Sequence, residues 1–394
     1  MLRDSKSKLR QTEVGMIPED WEAKSLGDLG ECLIGLTYEP ENVREYGVLV
    51  LRSSNVADGR LAFDDNVYVD IDIPERIRVK KGDILICVRN GSRALIGKCA
   101  LLDNQVEGQT FGAFMSVFRT TDSEYIFHQF QSDNIQRQIH ENIGATINQI
   151  TNKNLKAFVV PYPNDPQERD IIAQCLTETG VLIASLEKLI AKKRAIKQGT
   201  MQELLTGKRR LPGFSEKWET KSFGSLIELR KGEQLNKSEL TETGEYPDWN
   251  GGVEPSGYTH KWNTIKNTIT ISEGGNSCGF VNFCKQKFWL GGHCYALKIT
   301  TDCLDKNFLF QLLKYREKAI MNLRIGSGLP NIQKKNLNEF ELFLSTDVYE
   351  QTAIAGVLRN MDAEIDTLKQ QLAKYKMLKQ GMMQVLLTGR IRLV

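Results

Sequence analysis

The chain has 394 residues, of which 41% are hydrophobic and 26% charged, and a formal net charge of +3. That length exceeds what one hydrophobic core usually serves and predicts two or more soluble domains. The net charge is too small to announce nucleic-acid binding by itself. No apolar run reaches the roughly 20 residues a bilayer requires, and Met1 to Lys6 lack the apolar centre of an export signal.

Residues 1–164 read as a first globular segment, with strand-sized apolar runs at 48–51 and 84–88. Within it, Gly91 to Cys99 approaches a phosphate-cradling loop but is one residue too long and ends in Cys, so it is not expected to hold phosphate in that way; the Gly-rich Gly274 to Gly279 reads as a turn between strands. Residues 165–208 predict a long helix. Asp165 is a capping residue with Glu168 three positions on, Pro166 suits the first helical position, and Gly207 can close the far end. Its apolar face runs through Ile172, Leu176, Ile183, Leu186 and Ile190. Residues 209–346 form a second globular segment. Residues 347–394 predict a second helix, capped by Asp347 with Glu350 and closed by Gly389. Ile354, Leu358, Met361, Ile365, Leu368, Leu372, Tyr375, Met382 and Leu386 step by fours and threes along it, the seam of a coiled coil.

An internal repeat organises all of this. Gly144 to Leu155 recurs from Gly326 to Leu337, 182 positions later. The same offset carries Leu176 onto Leu358, Lys197-Gln198-Gly199 onto Lys379-Gln380-Gly381, and Leu205-Thr206-Gly207 onto Leu387-Thr388-Gly389. Upstream, Trp21, Lys24, Ser25, Gly27 and Leu29 match Trp218, Lys221, Ser222, Gly224 and Leu226 at an offset of 197. Between these matched ends the globules share little beyond a loose echo of residues 82–86 in 267–271. Similar frames with different interiors suggest one task applied to two targets. The expected fold is therefore α+β: two globular mixed α/β domains separated by two long antiparallel coiled-coil helices, with pseudo-two-fold symmetry.

The pattern Trp-x-x-x-x-Leu-Gly-Asp-Leu at 21–29, Leu51-Arg52-Ser53-Ser54-Asn55-Val56, Lys81-Gly82-Asp83-Ile84-Leu85-Ile86 with Ile96-Gly97-Lys98, and the two helix starts resemble type I restriction-modification specificity subunits. The resemblance covers nearly the whole chain in two-copy order. It implies a non-catalytic subunit that binds a bipartite site in double-stranded DNA, with one domain per half-site and the helices setting the gap. The partners it implies are two methyltransferase subunits docked on the helices and motor-nuclease restriction subunits. S-adenosylmethionine, ATP and magnesium would belong to those partners, leaving this chain no cofactor, metal or catalytic residue of its own. The first helix departs mildly from the pattern, starting Gln167-Glu168-Arg169 and turning polar near Lys193.

The residues themselves lack the corresponding chemistry. The chain has no Asn/Asp-Pro-Pro-Tyr/Phe tetrapeptide, and His128, His140, His260 and His293 stand at no ligand spacing. The eight cysteines form no C-x-x-C pair and read as buried thiols in a reducing cytoplasm. A self-contained methyltransferase or nuclease, or a coiled-coil adaptor that merely joins proteins, are the competing readings.

Residue types that read base edges or grip phosphate concentrate in polar, Gly-rich stretches. In the first domain these are Arg52, Asn55, Arg89, Asn90, Ser92, Arg93 and Asn148. In the second they are Asn250, Tyr258, Lys261, Asn276, Ser277, Ser327, Asn331 and Gln333. Such residues also populate ordinary solvated turns. Lys192, Lys193, Arg194 and Lys197, with Lys374, Lys376 and Lys379, form basic bands on the helices that suit phosphates, acidic partner surfaces or plain solvent.

Overall fold

The computed structural model describes residues 8–143, 148–326, 328 and 330–393. They fall into two compact units, Met1–Glu187 with Gln371–Val394, and Lys188–Gln370. The sequence-based division at 164, 208 and 346 follows chemical role, whereas each compact unit takes half of both long helices.

In the first unit the strands that build the main sheets and the pair at the helix start are β1 (Trp21–Ser25), β2 (Glu31–Ile34), β3 (Val48–Leu51), β4 (Tyr68–Val69), β5 (Ile84–Cys87), β6 (Cys99–Leu101), β7 (Thr110–Phe111), β8 (Met115–Arg119) and β9 (Val159–Pro163). An antiparallel sheet runs β6-β5-β8-β2. A second sheet centres on β3, parallel to β7 and antiparallel to β4. β1 and β9 form a separate antiparallel pair. All four residues of β5 are buried, as expected of a continuous apolar run in a sheet interior. The longer helices are α1 (Ser123–Phe130), α2 (Asp133–Asn142) and α3 (Pro166–Leu204). Phe130 of α1 meets Phe118 of β8 edge-on at 5.7 Å.

The second unit repeats these nine strands; the first unit adds two hairpins, Leu9–Thr12 with Gly15–Pro18 and Val56–Ala57 with Arg60–Leu61, and a short strand Val43–Arg44 paired with β4. The second unit contains β10 (Trp218–Ser222), β11 (Ile227–Lys231), β12 (Tyr246–Trp249), β13 (Gly257–Thr259), β14 (Thr268–Ser272), β15 (Val281–Cys284), β16 (Trp289–Leu290), β17 (Cys294–Ile299) and β18 (Glu341–Ser345). The sheet order β15-β14-β17-β11 copies the first unit, as do the parallel β12–β16 pair, the antiparallel β12–β13 pair and the β10–β18 pair. Its longer helices are α4 (Lys306–Tyr315) and α5 (Val348–Leu386). The interiors that share so little sequence therefore share their topology.

The ends of the long helices follow local chemistry. Asp165 Oδ1 accepts from Gln167 N at 2.9 Å, and Asp347 Oδ1 accepts from Tyr349 N at 2.8 Å. Gly207 and Gly389 close the helices at φ of +68° and +69°. A Cβ at Gly389 would also lie 2.5 Å from the Pro18 ring, so glycine is needed there twice over. The two glutamates depart from expectation. Glu168 and Glu350 are not local capping partners but are fully buried acceptors for distant groups. Trp21 Nε1 donates to Glu168 at 3.1 Å, and Arg392 clasps the same carboxylate while bridging to Asp20. In the other unit Trp218 Nε1 donates to Glu350 at 3.1 Å and Arg210 clasps it at 2.5 and 2.8 Å. Burial opposes the Glu350 charge, but hydrogen bonds from Arg210, Ser345 and Trp218 outweigh it and hold the carboxyl below its ordinary value. Arg210 and Arg392 are themselves repeat partners, each just past the end of a long helix.

Within each unit α3 and α5 run antiparallel. In the first, Thr179 touches Met382 and Glu187 pairs with Lys376. In the second, Lys193 pairs with Glu364 and Lys197 with Asp362, both at 2.6 Å. The predicted seam is the buried face: Leu176, Ile354 and Leu358 are fully buried, and Ile183, Ile190 and Ile365 nearly so. Several lysines of the basic bands are thus spent on pairs between the helices.

Candidate nucleic-acid interface

In the first unit, the ends of β3 and β5 and the start of β8 converge on one corner. Arg89 leaves β5 exposed, with its guanidinium over the Phe114 ring at 4.9 Å. The loop beyond it is fixed from several sides. Asn90 Nδ2 donates to Ser53 Oγ at 3.1 Å, Asn90 Oδ1 accepts from Ser92 N at 3.0 Å, and Asn148 Nδ2 donates to Gly91 O at 3.0 Å. Arg93 donates to the His140 carbonyl and stays exposed. Arg52 reaches this corner from β3 and pairs with Asp65 at 2.9 Å. Asn55 lies behind the surface. It is 0% exposed, and its amide is spent on Arg52 N, Ala62 O and Asn66 Oδ1 at 2.9 to 3.0 Å. It builds the turn and presents nothing outward.

The second unit has the same corner with other side chains. Gly274 follows β14 where Arg89 follows β5, and it bridges Asn331 as Arg89 bridges Gln149. Asn250, just past β12, accepts from His293 N at 3.0 Å and donates to Gln234 at 3.1 Å. His293 precedes β17 as Phe114 precedes β8. Asn331, Gln333 and Asn276 are exposed, and Ser277 is half-buried on the loop after Gly274. Ser327 lies outside the described residues. Tyr258 and Lys261 are not part of this cluster: Tyr258 pairs with Thr241 through the backbone and Lys261 Nζ donates to Glu239 at 2.9 Å. Just below the corner, burial pushes the Asp248 carboxyl up to about 6. Its Oδ1 has no hydrogen-bond partner among the described residues.

Sequence reasoning missed Phe114 and His293, because each acquires its place only when distant strands meet. Phe114 is 56% exposed, and a large aromatic beside Gly112 and Ala113 was the signal that could have found it.

Chemically, the first corner offers guanidinium groups, amides and a stacking face, and the second offers amides, an imidazole and glycine backbone. Among the described residues, neither holds a nucleophile beside an oriented base. Among the described residues, no group of three or more His, Cys, Asp and Glu is arranged to hold a metal ion, and no helix is long and apolar enough to cross a membrane.

The family model described as type I restriction modification DNA specificity domain matches twice, at residues 18–196 and 215–376. The chain belongs to this family. Specificity subunits are non-catalytic members of type I restriction-modification systems, and the two matches cover the two repeated units. The putative type I restriction enzyme MjaX specificity subunit of Methanocaldococcus jannaschii is 26% identical over 97% of this chain and 96% of its own length. A putative type I specificity subunit of Mycoplasma genitalium is 37% identical over 38% of this chain and 39% of its own length. The crystal structure of a type I restriction-modification S subunit from M. genitalium superposes with a TM-score of 0.70, covering 97% of this chain and 99% of that one at 19% identity.

Proposed function

We propose that this specificity subunit reads a bipartite site in double-stranded DNA, one half-site at each of the two sheet corners. The observation that carries the reading is the equivalence of the corners in fold and their difference in side chains. A common frame offers Arg52, Arg89, Asn90, Ser92, Arg93 and Asn148 in one unit and Asn250, Asn276, Ser277, Asn331 and Gln333 in the other. Arg, Asn and Gln are the side chains that pair bidentately with guanine and adenine edges in the major groove. Phe114 and His293 join the proposed surface, while Asn55 supports it from beneath. Tyr258 and Lys261 form a separate flank suited to backbone phosphate, and Ser327 is proposed on its sequence position alone.

The α3–α5 pair serves as the spacer and as the platform for two methyltransferase subunits, with restriction subunits joining for cleavage. Thirty-nine residues per helix correspond to roughly 60 Å, a length that supports a spacer role. The site of action is the cytoplasm, in keeping with eight free cysteines.

The test is reconstitution with the methyltransferase subunits, followed by methylation mapping on mixed-sequence DNA. The expected product is methylation at one bipartite motif, with the purified chain alone transferring no label from S-adenosylmethionine. Robust transfer by the chain alone, or methylation without sequence preference, overturns the reading.

A further inference from the structure

On the helix pair the half-buried Lys379 has no carboxylate partner among the described residues, unlike its repeat twin. In the second unit Lys197 of α3 is paired with Asp362 of α5 at 2.6 Å, and Gln311 of α4 donates to the other oxygen of Asp362 at 3.0 Å. The repeat places Lys379 at the position of Lys197 and Gly180 at that of Asp362. A Cβ built at Gly180 would lie 3.3 Å from Lys379 Nζ, so the lysine points to the spot where its twin finds a carboxylate. No ion pair or hydrogen bond to Lys379 Nζ exists among the described residues. Burial and the charge of Arg60 lower its affinity for a proton, the mark of an ammonium short of compensation.

Lys379 opens onto a cleft of about 880 Å³ whose wall includes Arg137, Lys376 and Arg390. Lys376 is neutralised by Glu187 at 2.8 Å, and Asp133, the one acidic residue of the lining, accepts from Gln384 at 3.1 Å and keeps its charge against the three cations Lys379, Arg137 and Arg390. Arg137 and Arg390 have no carboxylate partner among the described residues. The recess is therefore positively charged and roomy enough for side chains.

We propose that this recess receives a carboxylate side chain of a docking methyltransferase subunit, which completes from outside the lysine–carboxylate pair that Asp362 makes for Lys197 from within. This rests on the reading that methyltransferase subunits dock on the helix pair. A protein carboxylate suits the recess better than a DNA phosphate. Lys379 is half-buried between two helices, where an Asp or Glu side chain can insert, and a carboxylate is the group the twin position already uses.

The decisive variant is Gly180→Asp, which builds the missing partner into the chain, with Lys379→Met as its companion. Both are compared with the wild-type chain by titration with purified methyltransferase subunit, by thermal melting and by DNA binding of the assembled complex. Gly180→Asp is expected to raise the melting midpoint and weaken one of the two methyltransferase binding steps about tenfold or more, leaving the other step unchanged. Lys379→Met is expected to weaken the same step without the gain in melting midpoint. If both variants bind both subunits as the wild type does, the proposal falls while docking on the helices stands. If wild-type chain binds no methyltransferase subunit, the docking reading falls and the proposal with it. Loss of DNA affinity with assembly intact makes phosphate the occupant and overturns the proposal.

Discussion

The two units contrast most at their sheet corners and least at their helix starts. Trp21, Glu168 and Arg392 in one match Trp218, Glu350 and Arg210 in the other, group for group. At the corners, Arg89 stacked on Phe114 in the first unit corresponds to Gly274 beside His293 in the second. The difference follows from what each residue must satisfy. A buried carboxylate tolerates no change in its donors, because an unpaired charge in the interior costs several kcal/mol. A side chain beyond the last ladder hydrogen bond of a strand answers only to whatever docks on it, so the corners are free to diverge while the frame is not.

The sharpest way to break this equivalence is to remove the arginine of each triad. Arg210→Ala leaves Glu350 buried without its charge partner and is expected to cost about 3–5 kcal/mol. Arg392→Ala should cost a similar amount through Glu168. Chemical denaturation of each variant reads this directly. A loss below about 1 kcal/mol for either would mean that the triads are not equivalent supports.

The corners should differ in the kind of DNA contact they make, measurable in the complex assembled with methyltransferase subunits. Arg89→Ala with Arg93→Ala is expected to weaken binding by about 1–3 kcal/mol per lost base contact. Where the contact is to phosphate, the slope of log affinity against log salt should fall by about 0.9 for each. Asn250→Ala with Asn331→Ala should relax base preference in one half-site and leave the salt slope unchanged, because neither residue carries charge. Equal salt slopes for both pairs would remove the contrast between an arginine-rich and an amide-rich corner.

What sequence could reveal divides along the same line. Aspartate caps, closing glycines and the apolar seam are local, so Asp165, Gly207 and the Ile354 to Ile365 face were all legible. The roles of Glu168 and Glu350 were not, since their arginines lie 224 and 140 positions away and a glutamate three residues after a cap reads as part of it. Asn55 misled for a related reason: the amide that can pair with adenine can equally close a turn, and here three backbone and side-chain partners claim it. The doubled sheet topology was invisible because burial constrains the apolarity and size of interior residues but leaves their identity open.

The smallest expected contrast is one of pH. In the first unit His128 is buried, with Nε2 2.9 Å from Thr177 Oγ1, and burial together with the charge of Lys379 lowers its pKa from 6.5 to about 3. The unfolded chain then binds the extra proton first, so stability present above pH 6.5 is lost as pH falls toward 3, by about 2 kcal/mol between pH 7 and 5. In the second unit Asp248 has its pKa raised from 3.8 to about 6 by burial, so the folded state holds the extra proton and stability is gained as pH falls from about 6 toward 3.8, by about 1 kcal/mol down to pH 5. Asp248→Asn should therefore raise the melting midpoint at pH 8 and lose most of that advantage by pH 4. His128→Gln, which installs the residue type of Gln311 in the second unit, should flatten the acid limb of the stability profile. Both groups are buried within their units, so these shifts should appear in thermal melts without DNA. An Asp248→Asn gain that is the same at pH 4 and pH 8 would mean the carboxylate is hydrated after all and that the two units do not differ in this respect.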